Sequence, residues 1–576
     1  MRHRVPRVRA GVDTGGTFTD AVFDDGRIAK VLSRPADPAG AVSAALEGER
    51  VDVLAHGTTV ATNALLERRG ADVALVTDPG FEDVIEIGRQ NRPSLYDPFA
   101  DRPEPLVPRD RRVAAGALLP DGVEAVAVCL LHADLDPGPE RAVADALGAA
   151  VDVTCSHEVS PEFREYERTS TTVINAYLRP VCRTYLQRLA ALAPDVLVMT
   201  SAGGLVPLAD AADRPAALLL SGPAAGVLAG AAAAVAAGYP DAVTFDMGGT
   251  STDVCLVIDG QPEPAAQRSV GGLPVRLPSL DVHTIGAGGG SIARIDPGGA
   301  LAVGPRSAGA EPGPACYGRG GTEPTVTDAD LVAGRIPADA AFPGLDRLDT
   351  DAAHRALIHA GVDAEGVITV VDAAMVQAVR RVSVEQGHDP RRLALVAFGG
   401  AGPLHACAIA DELEMAAVVV PPRAGVLSAA GLVGAPTQVD LVRSWPDPGD
   451  HAGAAAALED LAGQAGPADE VVASVDCRYS GQSHELTVRS VEDFPAAHQR
   501  RNGYARPGAP VEVVALRVSA RTASPTLVEA LPDPGQRAEA TGPTVLAEQD
   551  CTVWVPDGWT AEVGGGGSWI LQRSRS

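Results

Sequence analysis

One eight-residue pattern occurs twice in this chain, and that recurrence restricts the fold more than any local propensity does. Asp13-Thr-Gly-Gly-Thr-Phe-Thr-Asp20 returns as Asp246-Met-Gly-Gly-Thr-Ser-Thr-Asp253, with six of eight positions identical. β-branched or aromatic runs flank both copies, so each reads as a strand, a glycine turn and a second strand. Paired glycines turn the backbone tightly and point successive N–H groups into a concavity, which suits phosphate oxygens. Gly15, Gly16, Gly248 and Gly249 therefore supply the cradle, with Thr14, Thr17, Thr250 and Thr252 as hydroxyl donors. The opening aspartates, Asp13 and Asp246, accept hydrogen bonds only and repel phosphate directly, so they are read as holding Mg2+ through its waters. Gly-Gly is also a common hairpin turn. Two copies at this separation favour two similar half-domains that grip a nucleotide from either side of a cleft.

The remaining composition narrows the partners. At 576 residues, 46% hydrophobic and 21% charged, the chain is long enough for two to four domains with their own cores. A net charge of −27 disfavours nucleic acid and anionic membranes. The only lysine is Lys30, and it follows no glycine-rich loop, so no Walker A motif is present. Eight scattered cysteines without Cys-x-x-Cys read as reduced buried thiols of a cytoplasmic protein. The alanine-rich run from Val227 to Ala237 is too short to span a bilayer.

The two loops resemble the phosphate motifs of the actin, sugar-kinase and heat-shock ATPase superfamily, and their wording is most similar to the hydantoinase A / 5-oxoprolinase family. That resemblance runs from Val8 to about Leu571. It implies an α/β fold of duplicated actin-like (ribonuclease H-like) half-domains around a nucleotide cleft, with a β-rich C-terminal domain. The boundaries expected are 1–238, 239–440 and 441–576.

Further motifs fall in order along the chain. Thr58 and Thr59 precede an expected helix, and with Asn63 they either line the substrate side of the cleft or cap and orient that helix. Arg89 and Arg92 are candidates for a substrate carboxylate or carbonyl, because Arg offers a planar donor fork; a solvated surface pair is the plainer alternative. Ser160-Pro161 reads as a helix start, with Glu165 and Arg168 as a surface ion pair on that helix. The run Asp281 to Ser291 lacks the third glycine of a dinucleotide fingerprint. Within the resemblance it borders the active cleft, placing Gly288 and Gly289 against the nucleotide and making His283 a residue to test. Phe398-Gly-Gly-Ala-Gly-Pro403 joins a strand to a helix and matches the adenosine motif of the superfamily, so Gly399, Gly400 and Gly402 are the adenine and ribose contacts.

The resemblance implies ATP and Mg2+ as cofactors, with Asp13, Asp20, Asp246, Asp253 and His283 as the catalytic candidates. The implied reaction is phosphorylation of the carbonyl oxygen of a cyclic amide or imide, such as a hydantoin, lactam or 5-oxoproline. Ring opening then needs a hydantoinase B-type partner subunit, making a hetero-oligomer. A ketone carboxylase subunit is the close variant. A small-molecule kinase and a non-catalytic actin-like ATPase module are the readings from other classes.

Overall fold

The computed structural model describes residues 8–34, 36–97, 99–340, 347–532, 535 and 537–574. Two large mixed sheets open in the same way. In the first, the hairpin Arg9–Thr14/Phe18–Phe23 takes Ile28–Leu32 on its outer edge, while Val53–Thr58 and then Asp195–Met199 join in parallel on its inner side. In the second, the hairpin Ala242–Met247/Thr252–Ile258 takes Gln261–Pro262 outside, and Ala394–Phe398 and Ala417–Val420 join in parallel inside. Over these five strands the two sheets thus share one order and one set of directions. Ala394–Phe398 is buried along its whole length, as an inner parallel strand covered on both faces requires.

Helices Gly222–Ala236 and Leu427–Gly434 meet between the sheets, and small residues let their backbones touch. A Cβ on Gly431 would sit 2.2 Å from the Ala225 carbonyl oxygen, and one on Gly226 only 2.6 Å from Ser428 Oγ. Between the fourth and fifth strands of the first sheet is inserted a four-stranded parallel sheet. It packs on the long helix Glu165–Leu189.

Most of the C-terminal strands join the two large sheets, while Thr544–Ala547 and Thr552–Val555 pair only with each other. Val511–Thr522 pairs with Thr437–Ser444 and Glu470–Tyr479 and so extends the first sheet. Trp569–Arg573 pairs with Ala417–Val420 and extends the second. Each large sheet otherwise ends in a strand with unpaired N–H and C=O groups, and the C-terminal strands satisfy them. Alternation in the sequence marks these segments as strands but does not say which edge they join.

Two further sequence expectations are corrected. The long helix begins at Glu165 rather than at Pro161, after Arg164 in the left-handed region at φ +79. Arg168 is fully buried, not a surface partner of Glu165; it pairs with Asp134 at 2.8 Å and donates to the carbonyls of Glu162 and Leu130. At the loop before helix Val326–Val332, Thr325 is the N-cap, in a capping box with Asp328. Among the described residues, no helix is long and apolar enough to cross a membrane. All eight cysteines are free and buried.

A buried charged group lies on helix Gly402–Glu412, just after the Gly399–Gly402 turn. His405 lies between Asp372, 2.7 Å from Nδ1, and Asp330, 3.2 Å from Nε2. Burial opposes its charge, but the two carboxylates prevail and push its pKa up to about 10. The stability this contributes is complete below the ordinary histidine value near 6.5 and is lost as pH rises through about 10. We expect the denaturation midpoint to fall between about pH 7 and 10, and to fall less in His405→Gln; parallel profiles would refute the assignment.

Candidate active site

Hairpin register sets Asp13 directly opposite Asp20, and Asp246 directly opposite Asp253. The loops between them close alike. The Gly15 N–H donates to the Phe18 carbonyl at 3.0 Å, and the Gly248 N–H donates to the Ser251 carbonyl at 3.0 Å. The neighbouring parallel strands both make room for an aspartate with a glycine. A Cβ at Gly57 would lie 2.5 Å from Asp13 Oδ1, and one at Gly399 would lie 2.4 Å from Asp246 Oδ1. Gly399 also has φ +78, so a side chain there would be strained as well as crowded.

The two loops face each other closely. A Cβ on Gly249 would stand 2.7 Å from Thr17 Oγ1, and one on Gly16 would stand 3.3 Å from Thr250 Oγ1. Around them lies a cavity of about 450 Å³, within the range of small-molecule sites. Asp13, Asp20, Asp246 and Asp253 all line it, as do Gly15, Gly16 and Thr17 from one side and Gly248, Gly249 and Thr250 from the other. Thr58, Thr59 and Asn63 form one end of the wall, while Gly289, Gly399 and Gly400 form part of the other.

Four facing carboxylates set the electrostatics. Burial, with Asp20 and Asp253 nearby, pushes Asp13 up to about 7. Burial and the same neighbours hold Asp246 well above the usual carboxylate range. Burial also raises Asp253 to about 6, although Thr284 Oγ1 donates to it at 2.5 Å. Asp20 is raised by burial and eased by Lys30. Asp13 Oδ1 is buried without a hydrogen-bond partner. A buried acceptor left open among crowded carboxylates is what a hydrated divalent cation satisfies, so these residues fit Mg2+ carried with a phosphate group.

Several expected contacts lie outside the cavity lining. Thr14 is buried, and its carbonyl accepts from Thr59 Oγ1 at 3.3 Å. Thr252 is buried too, its hydroxyl committed to the Ala287 carbonyl at 2.7 Å. Gly288 backs the second loop, where a Cβ would strike the Gly248 carbonyl oxygen at 2.6 Å. Gly402 starts the helix Gly402–Glu412 and packs under the Phe245 carbonyl. His283 sits on the strand His283–Ile285, paired to the outer side of the second hairpin, with its pKa held below the ordinary value by burial and by Arg381. Arg89 is engaged by Glu167 through two hydrogen bonds of 2.9 and 2.5 Å, and Arg92 is exposed. Neither arginine lines the cavity.

Other cavity residues were not anticipated from the sequence. Lys30 stands opposite Asp20 in the register of the next strand, with Nζ 2.9 Å from Asp20 Oδ1. Its uniqueness in the chain and its place on the Asp20 face were the available signals. Lys30 also donates to the Gly425 carbonyl at 3.2 Å, while the Gly425 N–H donates to Asp550 Oδ2 at 2.8 Å. A Cβ on Gly425 would be 1.8 Å from the Asp550 carbonyl oxygen. The C-terminal residues 547–552 thereby become part of the cavity wall. This junction depends on contacts about 400 positions apart in sequence, which no local pattern announces.

Fold and site together define a mixed α/β protein in which two matched hairpin loops close on one acidic cleft. The chain belongs to the hydantoinase/oxoprolinase family: residues 9–117 match its N-terminal region, and residues 168–440 match the hydantoinase/oxoprolinase domain. It is 35% identical to caprolactamase subunit alpha of Pseudomonas jessenii, over 90% of this chain and 88% of that one. It is 34% identical to the acetophenone carboxylase gamma subunit of Aromatoleum aromaticum, over 73% of this chain and 67% of that one. The crystal structure of the ATP-dependent caprolactamase from Pseudomonas jessenii superimposes with a TM-score of 0.83 at 30% identity, covering 98% of this chain and all of that one.

Proposed function

We propose that this chain is the nucleotide-using subunit of an ATP-dependent cyclic amidohydrolase, built as a duplicated actin-like ATPase. The observation that carries this reading is the pair of facing loops, each with its own half-buried aspartate pair, in a chain similar along most of its length to a caprolactamase subunit. The unengaged backbone of the two glycine loops and the Thr17 and Thr250 hydroxyls bind phosphate oxygens from opposite sides. Asp13 and Asp246 hold Mg2+ through its waters, and Gly399 and Gly400 let the adenosine approach the backbone. Bound Mg2+ neutralises charge on the phosphates. Lys30 places the one ammonium of the cleft beside Asp20.

In the proposed reaction the substrate carbonyl oxygen attacks the γ-phosphorus. The new O–P bond forms as the bond to the β,γ-bridging oxygen breaks, and ADP leaves with that electron pair. The carbon of the phosphorylated amide is then open to attack in a hydantoinase B-type partner. Eight buried free thiols suit a reducing cytoplasm. The similarity to the acetophenone carboxylase gamma subunit supports a second reading, in which the phosphorylated oxygen belongs to a ketone.

ADP release, measured with and without the co-expressed partner, tests these readings across lactams, hydantoins, 5-oxoproline, ketones and alcohols. Stimulation by a cyclic amide supports the proposal. Stimulation by alcohols alone moves the chain to the kinases, and turnover indifferent to every compound leaves an ATPase module. Nucleotide placement has a separate check, because the chain has one lysine. Acylation of Lys30, followed by peptide mass spectrometry, is expected to slow at least several-fold when Mg-ATP is present; unchanged labelling would put the nucleotide elsewhere.

A further inference from the structure

The wall of the cleft at helix Val60–Leu66 carries four polar side chains close together, and three are already committed to the protein. Thr58 Oγ1 accepts from the Val60 N–H at 3.2 Å, and Thr59 Oγ1 donates to the Thr14 carbonyl at 3.3 Å. Thr62 Oγ1 accepts from the Leu220 N–H at 2.9 Å. These bonds tie the helix to the first phosphate loop and to the segment ahead of helix Gly222–Ala236. Asn63 is different. Its backbone serves the helix, receiving the Glu67 N–H and donating to Thr59, while its exposed carboxamide has no hydrogen-bond partner among the described residues. It lines the cavity beside Leu66, with Leu220 and Pro223 also in that wall.

A free carboxamide beside three committed hydroxyls and the apolar Leu66, Leu220 and Pro223 is specific about what completes it. It offers one acceptor oxygen and two N–H donors side by side. A small lactam or imide ring holds its own C=O and N–H cis, on one edge, and so presents the matching donor and acceptor. A ketone has only the acceptor, and an N-alkylated lactam puts a methyl group where the donor was. Accepting the ring N–H does more than orient the substrate. It increases nitrogen donation into the carbonyl, which places charge on the oxygen that has to attack phosphorus.

We infer that Asn63 is the specificity-determining residue of this site and that its Oδ1 accepts the N–H of a secondary cyclic amide. The substrate class is therefore an N–H lactam or imide rather than a ketone or an N-alkyl lactam. This rests on the carbonyl-phosphorylation reading above and selects within it.

The test is ADP release by the complex of this chain with its hydantoinase B-type partner, using ε-caprolactam, N-methylcaprolactam and cyclohexanone as probes. The native complex is expected to favour caprolactam over its N-methyl derivative by roughly 3–10-fold in kcat/KM, the range of one neutral hydrogen bond, and to ignore the ketone. Asn63→Ala is expected to bring that ratio to about one, chiefly through KM. Asn63→Asp retains an acceptor and is expected to keep the preference, which a merely structural role would not explain. The side chain is exposed and unbonded, and alanine favours a helix, so Asn63→Ala should unfold at the native midpoint. Equal use of both lactams by the native complex, better use of the ketone, or an unchanged preference in Asn63→Ala would overturn the inference. Stimulation by an alcohol, with none from any carbonyl compound, removes the phosphorylation reading itself and this inference with it.

Discussion

Asp13→Asn and Asp246→Asn are each expected to lower substrate-dependent ADP release by at least about 100-fold while leaving the fold intact. Metal-assisted charge neutralisation is worth several kcal/mol at a phosphoryl-transfer centre, and roughly 1.4 kcal/mol corresponds to tenfold in rate. Both variants keep side-chain volume, which matters because each aspartate fills the space left by a glycine, Gly57 or Gly399. Both also remove one charge from a set of four half-buried carboxylates whose neighbours raise Asp13 and Asp246 themselves. The unfolding midpoint without nucleotide should therefore stay level or rise as activity falls. Loss of activity together with a clearly lower midpoint would point to a structural role instead. Near-native turnover in either variant would remove that aspartate from the reaction.

The repeat was legible because both of its consequences are local. Glycine turns and flanking β-branched runs determine a hairpin, and the spacing of the motif alone brings its two aspartates opposite each other. The burial and mutual repulsion of those aspartates was not legible, since it needs the two loops to close on one another. Arg89 and Arg92 show the limit in another form. Their donor forks suit a substrate carboxylate, yet Glu167 on the long helix claims Arg89, and that helix is assembled 78 positions downstream. Lys30 failed in the opposite direction, dismissed because it follows no glycine loop although strand register carries it to Asp20. The C-terminal region was recognised as β-rich, but not which of its strands complete the edges of the large sheets, because edge pairing is decided by which backbone groups remain unsatisfied. Asn63 lay between these cases. The sequence left it open between the substrate side of the cleft and the capping of a helix, and only the accounting of its neighbours' hydrogen bonds distinguished it from Thr58 and Thr59.

The largest loss of stability is expected from Glu162→Ala, at about 3–5 kcal/mol, the cost of leaving buried charges without their partner. Glu162 is 1% exposed, and its Oε2 receives Arg276 Nε at 2.9 Å and Arg517 Nη2 at 2.6 Å. Arg517 continues to Asp476, and Arg276 continues to Glu485, which Arg164 also reaches. Three acids and three arginines thus balance, and they join the start of the long helix to strands Glu470–Tyr479 and Val511–Thr522 of the first sheet. Phe163 adds to the join, with the guanidinium groups of Arg164, Arg276 and Arg478 at 5.1–6.0 Å from its ring centre. Removing Glu162 leaves Arg276 and Arg517 facing each other with two acids instead of three. Burial opposes ionisation of Asp476 and Glu485, yet their arginines hold both below the usual carboxylate range. The stability they contribute is therefore present at neutral pH and lost as pH falls below about 4. Denaturant titration at pH 7 should show the Glu162→Ala loss, and Arg517→Met should lose less than the sum of the separate Glu162 and Asp476 alanine variants, because it removes the charge that both acids serve. An exposed pair would give well under 1 kcal/mol by the same titration, so a small effect would show that this network is solvated and that the C-terminal strands are held by backbone pairing alone.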